Sequence, residues 1–335
     1  MEAEIKTKRL ILRLLVAADE GALVAALDDL AVSGWLAVVP YPYTPADFRE
    51  FLAIAAPGEH WAICDAGGFV GMIGLDEMLG YWLAAPAWSK GYMTEAGRAV
   101  MAAHFAEGGG DFGSGYFAGN ARSAGVLGKL GFIVTGQDIK YNRARGREMA
   151  HVNMSLTRDA FVAALPVEAR SARLSYRALQ AVDGEALHGI ASQWDVVRQL
   201  GSWPWPPEVA FTASRARPFA GRGFVWGAFL DTRLIGTVAV TEDELGYMFA
   251  PDCWGQGFAT EACSLAISQA FATSDRDHLV AGVWADNAAS LCLLGKLGFR
   301  VTGDDMTWSV ARKVDAPGHA LRLDRADWEK AGHDE

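Results

Sequence analysis

Cysteine is scarce in this chain. Cys64, Cys253, Cys263 and Cys292 are the whole complement, and no Cys-x-x-Cys pair occurs. That spacing excludes a disulfide framework and a thiolate metal knuckle, so reduced thiols and no metal are expected. Also missing is any uninterrupted apolar run of the ~20 residues needed to cross a bilayer, so no membrane association is expected. The charged opening Met1–Arg9 has no apolar stretch behind it, which predicts no secretory leader and a cytoplasmic protein. A basic excess is absent too. The net charge is −10, and no cationic stripe offers itself to a phosphate backbone, so nucleic acid is not an expected partner.

What is present is a globular composition, 51% apolar over 335 residues, enough for two ordinary cores. The main organisational fact is a repeat. Arg9-Leu10-Ile11-Leu12-Arg13 returns as Arg173-Leu174-Ser175-Tyr176-Arg177, and Leu79-Gly80-Tyr81 as Leu245-Gly246-Tyr247. Tyr41-Pro42-Tyr43 returns as Trp203-Pro204-Trp205, Asn120-x-x-Ser123 as Asn287-x-x-Ser290, and Gly128-Lys-Leu-Gly-Phe132 as Gly295-Lys-Leu-Gly-Phe299. The offset stays near ~166 residues, far above the ~20–50 of solenoid repeats, so each copy is a whole domain. The division is placed at 1–166 and 167–335, with a polar junction in Leu165–Ser171.

Within the first copy the pattern predicts a strand at Arg9–Arg13, a helix capped by Asp19 through Leu27, and a second opened by Thr44 or Asp47. Strands at Trp61–Cys64, Phe69–Leu75 and Leu79–Leu83 follow, then a helix opening at Gly91. A strand at Phe112–Phe117, a helix at Asn120–Leu130 and strands near Phe132–Gly136 and Ala150–Leu156 close it. The second copy repeats the order. The fold class is mixed α/β.

The most informative segment is a strand, a glycine turn and a helix start. In the second copy it reads Leu245–Pro251, then Trp254-Gly255-Gln256-Gly257-Phe258-Ala259-Thr260; in the first, Trp88-Ser89-Lys90-Gly91-Tyr92-Met93-Thr94. Glycines let the chain turn tightly, and the first N–H groups of the helix, without internal partners, form a site for phosphate oxygens. Neither copy has the Gly-Lys-Ser/Thr of a nucleotide P-loop, and Thr260 stands where a third dinucleotide-binding glycine would be.

These motifs together resemble the GNAT superfamily of N-acetyltransferases, in the branch related to ribosomal-protein alanine acetyltransferases, over nearly the whole chain and twice. The resemblance implies a central mixed, mostly antiparallel sheet flanked by helices, its fourth and fifth strands splayed to admit a pantetheine arm. It implies acetyl-CoA as donor, with the diphosphate on Trp88–Thr94 and Trp254–Thr260, and with Trp82, Leu83, Met248 and Phe249 beside the arm. Ser89 and Met93 depart from the family pattern, Met93 adding bulk, and the second site conforms better.

An amine must be neutral to attack a thioester. At pH 7 a lysine with pKa ~10.4 is far more rarely neutral than an α-amine at ~7.7–8.0, which favours a protein N-terminus or amino-acid-like acceptor among the primary amines, with other small-molecule amines (polyamines, aminoglycosides) also open. Backbone N–H groups near Trp82 and Met248 are expected to meet the carbonyl oxygen. Glu242 and Glu244, with Asp243, and Asp76 and Glu77 in the first copy, are candidate bases or a solvated hairpin turn. Asn120, Ser123, Asn287 and Ser290 are helix caps, groups facing the sulfur, or both. Where many relatives carry a tyrosine acid in the last helix, Leu127 and Leu294 stand, leaving serine or water. Glu95, Glu261, His151 and His319 read as structural, and the aromatic-proline loops at Val39–Thr44 and Ser202–Pro207 as pocket walls or packing. A non-catalytic CoA-binding module is the alternative function, and a monomer with an internal pseudo-dimer or a homodimer the expected assembly.

Overall fold

Each Arg-Leu-x-x-Arg segment ends on an arginine that builds the first corner of its repeat. In the computed structural model, which describes residues 3–55 and 59–332, Arg13 Nη1 and Nη2 donate to Asp19 at 2.9 and 2.6 Å. Arg177 does the same to Asp183 at 2.7 and 2.8 Å. Each aspartate also accepts the backbone N–H three residues earlier, from Val16 or Gln180. Asp19 therefore does not cap the helix that follows with its side chain as expected; its carboxylate is engaged by the bidentate pair with Arg13 instead.

Chain contacts divide the protein into Met1–Leu165 and Pro166–Glu335. The first unit opens with β1 (Glu4–Lys6), β2 (Ile11–Leu14), α1 (Glu20–Leu27), α2 (Leu30–Ser33) and α3 (Pro45–Ile54). Next come β3 (His60–Asp65), β4 (Gly68–Leu75), β5 (Leu79–Leu83) and α4 (Tyr92–Ala106). It closes with β6 (Phe112–Phe117), α5 (Ala121–Leu130), β7 (Ile133–Asn142), β8 (Arg147–Leu156) and α6 (Arg158–Ala163).

The second unit repeats this: β9 (Ala169–Arg170), β10 (Ser175–Ala178), α7 (Gly184–Ala191), α8 (Trp194–Val197), α9 (Val209–Arg215), β11 (Gly223–Leu230) and β12 (Arg233–Thr241). Then follow β13 (Glu244–Phe249), α10 (Phe258–Ala272), β14 (His278–Trp284), α11 (Ala288–Lys296), β15 (Arg300–Ser309), β16 (Val314–Asp324) and α12 (Arg325–Lys330).

The mixed, mostly antiparallel sheet is as expected, with particular differences. Arg9 lies outside β2, because a turn closed by Thr7 N–H on Leu10 C=O precedes the strand. The polar junction is not a plain linker: Ala169–Arg170 pairs antiparallel with β10. The closing hairpins reach well past the apolar stretch, to Asn142 and from Arg147, since ladder pairing needs no buried side chains. Strand β1, short α2 and terminal α6 carried no periodic signal.

The splay is visible in both units, between the fifth and sixth strands because β1 and β9 precede the expected first strand. In the first unit β1–β5 form one antiparallel sheet and β6–β8–β7 another. The buried Ser114 hydroxyl, donating to Leu79 C=O at 2.8 Å, ties the two at one end. In the second unit β13 and β14 run parallel and pair only at Glu244 and Val280, with Val280 N–H on Asp243 C=O at 2.8 Å. Beyond these ties the strands part toward their C-terminal ends, leaving unpaired backbone along a wedge. Helix α10 seats Ala262, Ala266 and Ala270 fully buried on the sheet beside this wedge.

Candidate functional site

The glycine turns lie at the open end of each wedge. Gly255 and Gly257 take φ of 72° and 81°, and Ser89 and Gly91 take 61° and 77°. Ser89 thus holds the same left-handed conformation as its glycine counterpart. Neither helix that follows has a side-chain cap on its first turn, so the N–H groups of Tyr92–Thr94 and Phe258–Thr260 lack helical partners. A Cβ at Gly255 would meet nothing within 4 Å, so the mouth of the turn is open. These features fit a diphosphate held by backbone donors and the helix dipole. Met93, expected to crowd this site, is buried at 5% exposure and lines the cavity described below without closing it.

A clasp fixes each turn. Glu95 accepts from Thr7 Oγ1 at 2.7 Å, Arg9 N–H at 2.9 Å and Arg9 Nε at 2.7 Å, while Arg9 Nη1 donates to Lys90 C=O at 2.8 Å. Glu261 accepts from Ser171, Arg173 N–H and Arg173 Nε, and Arg173 Nη1 donates to Gln256 C=O. Burial alone would raise both carboxyls, but these hydrogen bonds overcome it and hold them below the usual range. The structural reading of both glutamates is what the geometry supports. Trp88 and Trp254 serve as struts, each indole N–H donating at 2.8 Å to Leu83 or Phe249 C=O.

Ladder parity decides which backbone amides near Trp82 and Met248 face the wedge. Ala250 N–H donates to Ile235 C=O, and Ala84 N–H to Val70 C=O, both at 2.9 Å. Since direction alternates along a strand, the N–H groups of Met248 and Trp82 also point into their own sheets, toward Thr237 and Met72. The groups that face the wedge are those of Tyr247 and Phe249, and of Tyr81 and Leu83.

Tyrosines absent from the last helix stand on the splayed strand instead. Tyr81 Oη lies 2.8 Å from Ser123 Oγ, and Tyr247 Oη 2.7 Å from Ser290 Oγ. Burial raises both phenols above their ordinary value, so each keeps its proton throughout the neutral range. The repeated Leu-Gly-Tyr held this signal, but only the packing of β5 on α5 and of β13 on α11 shows what the hydroxyl reaches. Asn120 and Asn287 act as caps, accepting from Ser123 and Ser290 N–H at 3.2 and 3.1 Å.

A cavity of about 730 Å³ occupies the wedge of the first unit, running from Ser89–Thr94 past Tyr81, Leu83 and Ser123 to His151. Its outer wall is Trp35–Val38, not the aromatic-proline loop, whose Tyr43 is buried against Leu23, Leu27 and Phe48. The acidic hairpin turns are not brought to the wedge mouth. Glu242 and Asp243 form ion pairs with Arg222, and Asp243 with Arg276 at 3.0 Å. Glu244 begins β13, roughly 13 Å along the strand from Met248. These carboxylates and the exposed Asp76–Glu77 turn fit the solvated-turn reading.

A splayed mixed sheet with an anion-ready turn, built twice, gives each unit a cleft between two strands. The family model for the acetyltransferase (GNAT) domain matches residues 9–133 and 173–300, and the chain belongs to that family, carrying its domain twice. The family uses acetyl-CoA, and the protein is an N-acetyltransferase. An uncharacterized N-acetyltransferase YoaA from Bacillus subtilis (strain 168) is 32% identical over 145 residues, 39% of this chain and 81% of the relative. Among solved structures, a GNAT-family acetyltransferase from Bacillus anthracis is 20% identical, covering 47% of this chain and 99% of its own, with a TM-score of 0.42. Ribosomal-protein-S5-alanine acetyltransferase from Vibrio fischeri is 18% identical, with coverage of 48% and 99% and a TM-score of 0.41.

Proposed function

We propose that each unit binds acetyl-CoA with its diphosphate on the glycine turn and its pantetheine arm in the wedge, and acetylates the α-amine of a neutral or acidic acceptor by direct attack in a ternary complex. The observation that carries this reading is the continuous first-unit cavity from the turn to Tyr81 and Ser123. The bound thioester supplies the acetyl group. The wedge-facing N–H groups of Leu83 and Phe249 stand ready for the carbonyl oxygen as it gains charge. Tyr81 and Tyr247, through Ser123 and Ser290, hold a proton for the departing sulfur.

The cavity's charged side chains are Arg122, Lys129 and Lys140, and no carboxylate among the described residues lines it. Such a lining repels a polycation and tolerates a carboxylate or a peptide. It therefore favours an amino acid or a protein N-terminus over a polyamine or aminoglycoside.

Thiol release from acetyl-CoA tests both parts, using an alanine-terminated peptide, a free amino acid, spermidine and an aminoglycoside. Faster release with the first two is expected. Preference for spermidine overturns the acceptor class, and bound acetyl-CoA with no release for any amine removes the reaction.

A further inference from the structure

A histidine–aspartate pair recurs at equivalent positions of both closing hairpins. His151 on β8 lies opposite Phe117 and Asp138, and His319 on β16 lies opposite Val283 and Asp304. His151 Nδ1 is 3.4 Å from Asp138 Oδ1 and 3.1 Å from Asn153 Oδ1; His319 Nδ1 is 2.6 Å from Asp304 Oδ1. An acceptor on Nδ1 fixes the tautomer with its proton there and leaves Nε2 as a lone-pair acceptor. The His151 side chain is 8% exposed, and its ring lies over Gly115, where an added Cβ would come within 2.9 Å of Nε2. The ring also lines the wedge cavity, whose other titratable side chains are lysine, arginine and tyrosine.

We infer that His151 and His319 are the proton acceptors for the attacking amine, with Asp138 and Asp304 as positioning residues. This rests on the acetyl-transfer reading above. As the amine nitrogen bonds to the acyl carbon, the C–S bond breaks. The amine's proton goes to Nε2, and the thiolate takes one from the Tyr81–Ser123 or Tyr247–Ser290 pair. Asp138 and Lys140 from β7 and Asn153 from β8 are the polar groups facing His151; burial first, then Lys140, lowers its pKa. That shift favours the neutral ring, the form able to accept a proton.

Three measurements on the full chain test this: nitrogen NMR of the imidazoles in free protein, acetyl-CoA binding by calorimetry, and kcat/KM against pH with an alanine-terminated peptide. The expected free protein shows His151 neutral at pH 7 with the proton on Nδ1. The H151N/H319N double variant is expected to bind acetyl-CoA normally and lose about 100-fold or more in kcat/KM. D138N/D304N is expected to shift the acidic limb of the pH profile and to disturb the tautomer. An Nε2-protonated ring, or a double variant with wild-type kcat and an unchanged acidic limb, overturns the assignment. Failure of wild-type protein to bind acetyl-CoA instead overturns the reading beneath it.

Discussion

Ser89 and Gly255 hold one backbone conformation with different side chains. A left-handed residue other than glycine costs roughly 1–2 kcal/mol. Ser89→Gly is therefore expected to stabilise the first unit by about 1 kcal/mol, and Gly255→Ser to destabilise the second by a similar amount, read from urea unfolding. At the same scale, the tyrosine–serine pairs predict a split in kinetics. Tyr81→Phe with Tyr247→Phe removes a proton donor without touching the glycine turn, so kcat is expected to fall about 100-fold or more at constant acetyl-CoA affinity. Unchanged kcat would mean that water protonates the sulfur. The tyrosines were readable as a repeat but not as chemistry, because the side chain each meets lies more than forty residues away.

At the scale of elements, each glutamate clasp joins the loop before the second strand of its unit to the helix behind the turn. Glu95 and Glu261 are held below their ordinary pKa in the folded protein. Their stabilising contribution is thus complete above the unfolded value of ~4.3 and is lost as pH falls through the lower folded value. Glu261→Gln is expected to cost about 1–3 kcal/mol at pH 7, for hydrogen bonds to a charged group, and to flatten the acid limb of the stability curve. Thermal unfolding between pH 3 and pH 7 would reveal an unaltered limb if the clasp were idle. Sequence placed Glu95 and Glu261 in a first helical turn, but their partners Arg9 and Arg173 came from segments read as strand.

For the whole molecule, the repeat sets an expected stoichiometry. Both turns keep left-handed residues and uncapped helix starts, so each chain is expected to bind two acetyl-CoA molecules by calorimetry. Gly91→Trp or Gly257→Trp, each filling one turn, should reduce this to one, and the double variant to none. A single site in the unaltered protein would show that one wedge is closed. In the wild type, ligand at 100 times its Kd should add about 2.7 kcal/mol to the stability of each unit that binds it.

The duplication, the mixed sheet, the helix starts at Thr44, Gly91 and Asn120 and the glycine turns were legible in the sequence, because caps, periodicity and left-handed glycines act between neighbours a few residues apart. Tertiary structure alone decided which N–H groups face the wedge, which tyrosine meets which serine, and that His151 and His319 each face an aspartate. The physical reason is register: one residue of slip along a strand reverses the direction of every amide and side chain, and ladder pairing between distant segments sets that register.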